Sequence, residues 1–301
     1  QPHMQRSGMW GHKNDIKCNL YIQSFFQNST GSPFPLIPHS TSRRAASRRA
    51  ASLYVGLKSS VPSGRPRNRF KLIQFFVGGN QAMPLYSLHT DPLRAVWRMD
   101  ESSSELLAKF ENKAACERAL EGLGTEARRA ERLASRLLVK ELLGEEIPVV
   151  YRSNGAPCLL DNPLHISISH TKGYAALLVQ SEPFAGIDIE RRGERVLHIR
   201  ERFLSAGELG AIDLLHEADH LLIHWCAKEA LFKMVGEEGV NFRTQLHVNP
   251  FPFALSGTIT GSESRSLQGK AFSLGYTVEE EFVWVWSKEN GTSHDVPPSL
   301  H

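Results

Sequence analysis

Apolar side chains recur along residues 102–287 with two different spacings, and each spacing predicts one kind of element. Spacings of three and four, bounded by capping residues and glycines, predict helices, whereas alternation in short runs between turn residues predicts strands. The predicted helices cover residues 102–120, 125–143, 205–217 and 218–235. The predicted strands cover residues 148–152, 164–169, 174–180, 184–190, 244–248, 253–260, 271–279 and 282–287. Groups of strands and helices in this order predict an α+β chain.

Residues 1–82 differ from the rest of the chain in charge. They hold twelve Lys or Arg and one acid, for a net charge of +11, whereas residues 83–301 hold 23 bases and 31 acids, for −8. The segment has no sustained periodicity, and it repeats Ser-Arg-Arg-Ala-Ala at 42–46 and 47–51. We predict a disordered basic extension over 1–82, foreign to the native protein, a folded domain over 83–290 and a polar tail over 291–301. The alternative for the extension is binding of nucleic acid or an anionic membrane.

Composition narrows the class of protein further. The chain is 41% hydrophobic, which is enough for a packed core, but no apolar stretch approaches the length of a transmembrane helix. Its four cysteines, Cys18, Cys116, Cys158 and Cys226, are scattered and form no Cys-x-x-Cys pair. This argues against a disulfide framework or zinc site and favours a reducing compartment. We therefore expect a cytoplasmic monomer with neither a membrane nor a nucleic-acid partner.

A short acidic motif ends one of the predicted strands. The motif is Gly186-Ile187-Asp188-Ile189-Glu190. Because side chains alternate faces along a strand, Asp188 and Glu190 point to one side and the two isoleucines to the other.

A second motif follows about forty residues later on the predicted helix 218–235. Its sequence is Trp-Cys-Ala-Lys-Glu-Ala-Leu-Phe-Lys at 225–233. Positions four apart share a helix face, so Trp225, Glu229 and Lys233 lie above one another. A glutamate four residues before a lysine is also the spacing of an ordinary surface ion pair, so either motif alone is weak. The two motifs in this order and spacing are far more specific.

The carboxylates of the two motifs suit a hard cation. Asp188, Glu190 and Glu229 offer oxygen ligands without histidine or cysteine, which favours Mg²⁺ with water and phosphate in its other positions. Lys233, one turn beyond Glu229, could neutralise a phosphate or protonate a leaving group.

Together the motifs resemble those of the 4′-phosphopantetheinyl transferase superfamily. That pattern is hydrophobic-Gly-hydrophobic-Asp-x-Glu followed by Trp-x-x-Lys-Glu-Ala-x-x-Lys, and every position is filled here. Residues 165–170 also resemble the family strand that ends in Ser-His. The resemblance covers residues 83 to about 287, and the length favours the larger surfactin-synthetase-activating type. It implies two similar α+β halves related by a pseudo-twofold axis, with the site at their junction.

The resemblance implies an enzyme that moves 4′-phosphopantetheine from coenzyme A to a serine of an apo acyl or peptidyl carrier protein. The co-product is adenosine 3′,5′-bisphosphate, and the reaction depends on Mg²⁺. Such carriers serve fatty-acid or secondary-metabolite biosynthesis. Phosphoryl transfer needs positioning and charge neutralisation more than covalent help from the protein.

The resemblance also implies roles for individual residues. Glu229 is the candidate base and Lys233 the group that stabilises the leaving phosphate, so both are expected to be catalytic. The expected metal ligands are Asp188, Glu190 and Glu229. The expected contacts to coenzyme A are Arg136, Ser169, His170, Lys228 and Lys233.

One departure from the family pattern concerns nucleotide binding. Family members often have a Gly-Lys-Pro turn whose lysine holds coenzyme A, whereas this chain reads Gly155-Ala156-Pro157. Another cation must compensate for the lysine, or nucleotide binding is weaker. Two alternatives to the transferase stay open: a metal-dependent phosphohydrolase or nuclease, and a non-catalytic binder of coenzyme A or a carrier protein.

Overall fold

The computed structural model describes residues 85–265 and 270–288, which belong to one compact unit. The strands are β1 (Leu85–Thr90), β2 (Leu93–Arg98), β3 (Val149–Tyr151), β4 (Pro157–Leu159), β5 (His165–Thr171), β6 (Tyr174–Gln180), β7 (Ile187–Arg191), β8 (Leu246–Val248), β9 (Ser256–Glu263), β10 (Ala271–Val278) and β11 (Phe282–Ser287). The α-helices are α1 (Ser103–Ala108), α2 (Lys113–Ala119), α3 (Glu126–Leu143), α4 (Arg200–Phe203), α5 (Ala206–Gly210) and α6 (Glu217–Val235). The predicted α+β class is confirmed. The predictions for 1–82 and for the tail 291–301 lie outside the described residues.

The strands form two larger antiparallel sheets and a small hairpin. The first sheet has the order β1-β2-β6-β5, and the second has the order β7-β11-β10-β9-β8. Strands β3 and β4 pair only with each other. Strand β5 is therefore an edge of the first sheet and β7 an edge of the second.

The sheets and the two long helices stack in four layers. Helix α3 packs on one face of the first sheet, where Leu133 and Leu137 join the same apolar cluster as Leu177. Helix α6 packs on one face of the second sheet in another cluster. The remaining faces pack on each other through a third cluster that includes Leu178 and Trp284. Each half is thus one antiparallel sheet with one long helix, as the resemblance implied.

The bounds of the two long helices are close to those predicted. The side chain of Thr125 caps the start of α3, and Gly144 ends it. Helix α6 ends at Gly236, whose φ of 66° is the left-handed conformation that glycine adopts without steric cost.

Two predicted helices are wrong in extent. The prediction of one helix over 102–120 fails because the Glu146 carboxylate accepts the backbone N–H groups of Glu111 and Asn112, which separates α1 from α2. The helix predicted over 205–217 ends at Gly210, and a 3₁₀ turn at Leu214–His216 leads into α6. Capping boxes at Ser102 and Ser205 start α1 and α5.

Some strands were not predicted, and one was predicted too short. The β1–β2 hairpin, which turns at Asp91-Pro92, was not predicted, and β5 continues past Ser169 to Thr171. Within the described ranges, no helix is both long enough and apolar enough to cross a membrane.

Candidate active site

The edges of the two sheets meet where β5 lies beside β7. The hydroxyl of Ser167 accepts a hydrogen bond from the backbone N–H of Ile187 at 3.0 Å, and that of Thr171 accepts one from Arg191 N–H at 3.2 Å. Side-chain oxygens of the first half therefore satisfy backbone donors of the second. We call these contacts between β5 and β7 the hydroxyl seam.

The glycine of the acidic motif allows β7 to start directly against α6. A Cβ at Gly186 would lie 2.5 Å from the carbonyl oxygen of Ala230 and 2.5 Å from Cγ of Met234. Any side chain here would push the strand away from the helix, because close-packed interiors leave no spare volume. The absence of a side chain brings the two following carboxylates onto the face of α6.

Asp188 is buried and is held from both sides. Its Oδ1 accepts a hydrogen bond from the Ser169 hydroxyl at 2.7 Å and an ion-paired one from Lys233 Nζ at 2.8 Å. Lys233 also donates to the carbonyl of Ile187 at 2.8 Å. Oδ2 is buried, and no donor among the described residues bonds to it. One oxygen of this carboxylate is thus committed to the protein, and the other has acceptor capacity left.

Glu190 lies on the same side of β7 and contacts both neighbouring elements. Its Oε1 accepts the indole N–H of Trp225 at 3.1 Å, and its Oε2 lies 3.4 Å from the Thr171 hydroxyl. Burial raises the pKa of Glu190 well above its usual range, and the charge of Asp188 adds to this effect. Two carboxylates enclosed this closely repel each other, and a cation between them would relieve the repulsion.

Glu229 lies on α6 between Trp225 and Lys233, the two residues that contact β7. It is buried, and its charge is near enough to contribute to the raised pKa of Glu190. Across 85–265 and 270–288, no three His, Cys, Asp or Glu residues are arranged to hold a metal ion on their own. The predicted set of three carboxylates is therefore not preassembled among these residues, although two of its members, Asp188 and Glu190, lie on the same side of β7.

The donors present fit Mg²⁺. This ion prefers oxygen ligands and usually takes one or two carboxylates, completing its octahedron with water and phosphate oxygens. The pair offers carboxylate oxygens only, and Oδ2 of Asp188 is buried with no hydrogen bond to it.

His170 lies near the pair, one residue beyond Ser169 on β5. Its Nδ1 is 3.5 Å from a carboxylate oxygen of Glu131. Burial, with a smaller contribution from the nearby charge of Lys233, lowers the pKa of His170 to about 4. At neutral pH this imidazole is therefore uncharged, so it would contact a phosphate as a hydrogen-bond donor.

Two arginines of α3 lie near His170, although the coenzyme A contact expected from the sequence was assigned to Arg136 on the same helix. The charges of Arg128 and Arg132 both contribute to the low pKa of His170. The guanidinium of Arg132 lies 4.7 Å from the ring centroid of Tyr151, a cation–π contact that orients it. The four-residue spacing of basic positions on α3 was the available signal, but it did not say which position faces the site.

Arg136, the position chosen on this helix, is otherwise engaged. Its guanidinium donates to the backbone carbonyls of Arg132 and Val149, each at 3.2 Å. Burial lowers its pKa. These contacts attach α3 to the start of β3 and use donors that a ligand would need.

Lys228 lies in the core, where it is inaccessible to a ligand. Its side chain is 0% exposed, and Nζ donates to Phe203 O at 2.7 Å, to Glu208 Oε2 at 2.8 Å and to Phe242 O at 2.9 Å. Burial lowers the pKa of Lys228 to about 8. All three ammonium donors are thus satisfied by protein acceptors, which contradicts the expected contact to coenzyme A. The residue is a structural link between α6, α4 and α5.

The turn that departs from the family pattern is tied to the end of α6. The amide of Asn154 donates to the Gly236 carbonyl at 2.7 Å and accepts from Ala156 N–H at 3.1 Å. The turn therefore lies near the site-bearing helix although it carries no lysine.

A family model described as the 4′-phosphopantetheinyl transferase superfamily matches residues 185–286. This stretch is about a third of the chain and contains β7, α6 and all but the last residue of β11. It therefore includes Asp188, Glu190, Glu229 and Lys233. No curated protein matches the chain. The similarity thus covers the second half of the fold and supports a transferase of this general kind.

Proposed function

We propose that this protein transfers 4′-phosphopantetheine from coenzyme A to a serine hydroxyl of an apo carrier protein and releases adenosine 3′,5′-bisphosphate. The observation that carries the proposal is the carboxylate pair of buried Asp188 and half-buried Glu190, beside Lys233, within the segment matched by the family model. We further propose that the protein is of the larger surfactin-synthetase-activating type, because two sheet-and-helix halves occur in one chain.

Groups suited to phosphates converge beside the pair. His170 can donate one neutral hydrogen bond, and the charges of Lys233, Arg128 and Arg132 reach it. A phosphate-rich ligand such as coenzyme A needs several cations whose positive field is not cancelled by adjacent carboxylates. The two arginines are the candidates to replace the family lysine missing at Ala156.

Glu229 is the proposed base. Its carboxylate would accept the proton of the carrier serine as the serine oxygen forms a bond to the phosphorus that bears pantetheine. The bond from that phosphorus to the bridging oxygen of the nucleotide breaks, and Lys233 neutralises the charge that develops on the leaving group. A general base of this kind typically contributes a factor of about 10²–10⁴ in rate.

Mg²⁺ would be held by Asp188 and Glu190, with Glu229 as the third candidate ligand. When bound, the cation would supply neutralisation of the pyrophosphate charge. The protein itself holds the two carboxylates by hydrogen bonds from Ser169, Lys233 and Trp225, so that little reorganisation is needed when the ligands arrive.

The proposal is tested by incubating the full chain with coenzyme A, Mg²⁺ and a panel of apo carrier proteins. Intact-protein mass spectrometry should show a gain of one phosphopantetheinyl group on at least one carrier. Glu229→Gln should abolish the gain, whereas Glu238→Gln, which alters an exposed acid beyond the end of α6, should not.

Two outcomes would overturn the proposal. If no carrier gains mass while the protein is folded and binds coenzyme A, a non-catalytic binder becomes the better interpretation. If coenzyme A is instead hydrolysed without transfer, a phosphohydrolase does.

A further inference from the structure

Strand β5 presents three hydroxyls to β7 at positions two apart. Because alternate residues share a strand face, Ser167, Ser169 and Thr171 all point to the same neighbour. Their contacts differ in kind. Ser167 accepts from a backbone N–H, Ser169 donates to a carboxylate, and Thr171 contacts both kinds of group. Ser167, which contacts no carboxylate, can therefore serve as a control for Ser169 and Thr171, which do.

Ser169 is one of two residues that bond to the same oxygen of Asp188. Its hydroxyl is buried and donates at 2.7 Å, a normal length for a hydrogen bond to a charged carboxylate. Lys233 bonds to the same Oδ1, so that oxygen is occupied twice. Oδ2 is left buried with no hydrogen bond to it. Without the Ser169 hydroxyl, rotation of the carboxylate group would be less restricted.

Thr171 acts on Glu190 in the same way over a longer distance. Its oxygen accepts the Arg191 N–H at 3.2 Å, which leaves its proton for Glu190 Oε2 at 3.4 Å. The indole of Trp225 fixes the other oxygen of Glu190. Both carboxylates of β7 are therefore held by hydroxyls that the first half of the molecule supplies.

We propose that Ser169 and Thr171 are positioning residues that fix the carboxylate orientations of Asp188 and Glu190 for a divalent cation. The cation affinity of a site built on the second half is thereby set by a strand of the first. The inference rests on the proposed function only in that the cation is the one required for the transfer. It also gives Ser169 a role different from the contact to coenzyme A expected from the sequence.

The test measures binding of Mn²⁺, as a paramagnetic substitute for Mg²⁺, to the full chain without coenzyme A or carrier. Electron paramagnetic resonance gives the free Mn²⁺ directly. Residues that orient metal ligands typically change metal affinity by about 10- to 100-fold when they are replaced. We expect Ser169→Ala and Thr171→Val each to weaken binding by about tenfold, with Asp188→Asn as the reference for loss of the site.

Two further variants distinguish orientation of the two carboxylates from simple hydrogen bonding between β5 and β7. Ser167→Ala removes a seam hydrogen bond to the backbone but touches neither carboxylate, so Mn²⁺ affinity should stay within about twofold of wild type. Thr171→Ser keeps the hydroxyl and should restore binding. Urea unfolding of each variant shows whether the fold is retained, and if Thr171→Val fails to fold, the comparison rests on Ser169→Ala against Ser167→Ala.

The inference is wrong if folded Ser169→Ala and Thr171→Val bind Mn²⁺ like wild type, or if Ser167→Ala weakens binding as much as they do. Its failure is distinguishable from that of the proposed function. Transfer to a carrier with normal Mn²⁺ binding in Ser169→Ala would overturn only the positioning role. Hydroxyl-dependent Mn²⁺ binding without any transfer would overturn only the transferase.

Discussion

Helices α3 and α6 are of similar length, 18 and 19 residues, but lie in different surroundings. Helix α3 buries one face on the first sheet and leaves its basic positions half-buried or exposed. On α6 every residue from His220 to Leu231 is buried, because the second sheet covers one face and the segments around α4, α5 and Phe242 cover the other.

The difference determines what a charge costs on each helix. An exposed charge on α3, such as that of Arg128, keeps most of its hydration. A charge in the enclosed part of α6 loses it and needs a partner of opposite sign or several hydrogen bonds. Lys228 has three acceptors and Lys233 has Asp188. Charged residues on α6 are therefore either structural links or parts of the site, and the following changes test this contrast from the largest expected effect to the smallest.

Removing the buried charge of Lys228 should have the largest effect on stability. Lys228→Met leaves the Glu208 carboxylate buried without its ion-pair partner, and breaking such a pair costs about 3–5 kcal/mol of unfolding free energy. Arg129→Met on α3 should cost less than about 0.5 kcal/mol. Urea denaturation monitored by circular dichroism measures both. Equal losses for the two variants would contradict the contrast between the helices.

Adding a methyl group where β7 meets α6 should destabilise the protein next most. Gly186→Ala places a Cβ 2.5 Å from the Ala230 carbonyl oxygen, and overpacking of this kind costs about 1–3 kcal/mol. Gly193→Ala is the matched control, because a Cβ there meets nothing within 4 Å. Thermal unfolding of the two variants gives the comparison. A fully stable Gly186→Ala protein would show that the strand can move away from the helix at no cost.

Acid should destabilise α6 through two histidines that the proposed chemistry does not use. His220 and His224 are each 1% exposed and pack against Phe251. Burial lowers the pKa of both, that of His224 to about 3, and the charged or titratable groups near them are Asp213, His216, Glu208 and Lys228. A histidine in the unfolded chain has a pKa of about 6.5, so below that pH the unfolded state takes up protons that the folded state does not. The unfolding free energy is therefore highest above pH 6.5 and decreases as the pH falls towards 3.

At pH 5, His224 alone should lower the unfolding free energy by about 2 kcal/mol relative to pH 7.5. Urea unfolding at both pH values measures the loss, which His224→Leu should reduce by that amount. The exposed residue His198 provides the control His198→Gln, which should not change the loss. An unchanged loss in His224→Leu would mean that other groups carry the acid sensitivity.

The smallest effect is expected on the exposed side of α3. Arg132→Gln removes one cation beside His170 and should raise the KM for coenzyme A about fivefold with kcat unchanged, which corresponds to about 1 kcal/mol of uniform binding. Arg129→Gln, on the same helix but facing the segment between α2 and α3, should leave KM unchanged. A steady-state transfer assay decides between them. Equal KM values would show that Arg132 does not contact the nucleotide.

Features that depend on neighbours in the chain could be predicted from the sequence. Thr125 and Gly144 specify the ends of α3, and Gly236 specifies the end of α6, because capping is a local interaction. Strand alternation correctly predicted that Asp188 and Glu190 share a face opposite Ile187 and Ile189. Helical spacing predicted that Trp225 and Lys233 share one helix face, and the structure shows that both contact these carboxylates.

Features that depend on distant partners could not be predicted. The break between α1 and α2 needs the Glu146 carboxylate, and the burial of Lys228 needs Glu208 and two carbonyls from other segments. Likewise, the sequence did not show that the hydroxyls of Ser169 and Thr171 face the carboxylates of another sheet.

The sequence alone thus determined most of the elements, and it determined which faces of β7 and α6 carry Asp188, Glu190, Glu229 and Lys233, because helix and strand periods repeat over a few residues. Only the tertiary structure decided which of these residues meet. Charged residues recur at the same spacing in the sequence whether they are solvated, as Arg128 is on α3, or enclosed, as Lys228 is on α6. Burial, and with it the choice between a structural link and a reactive group, is set by segments far apart in the chain.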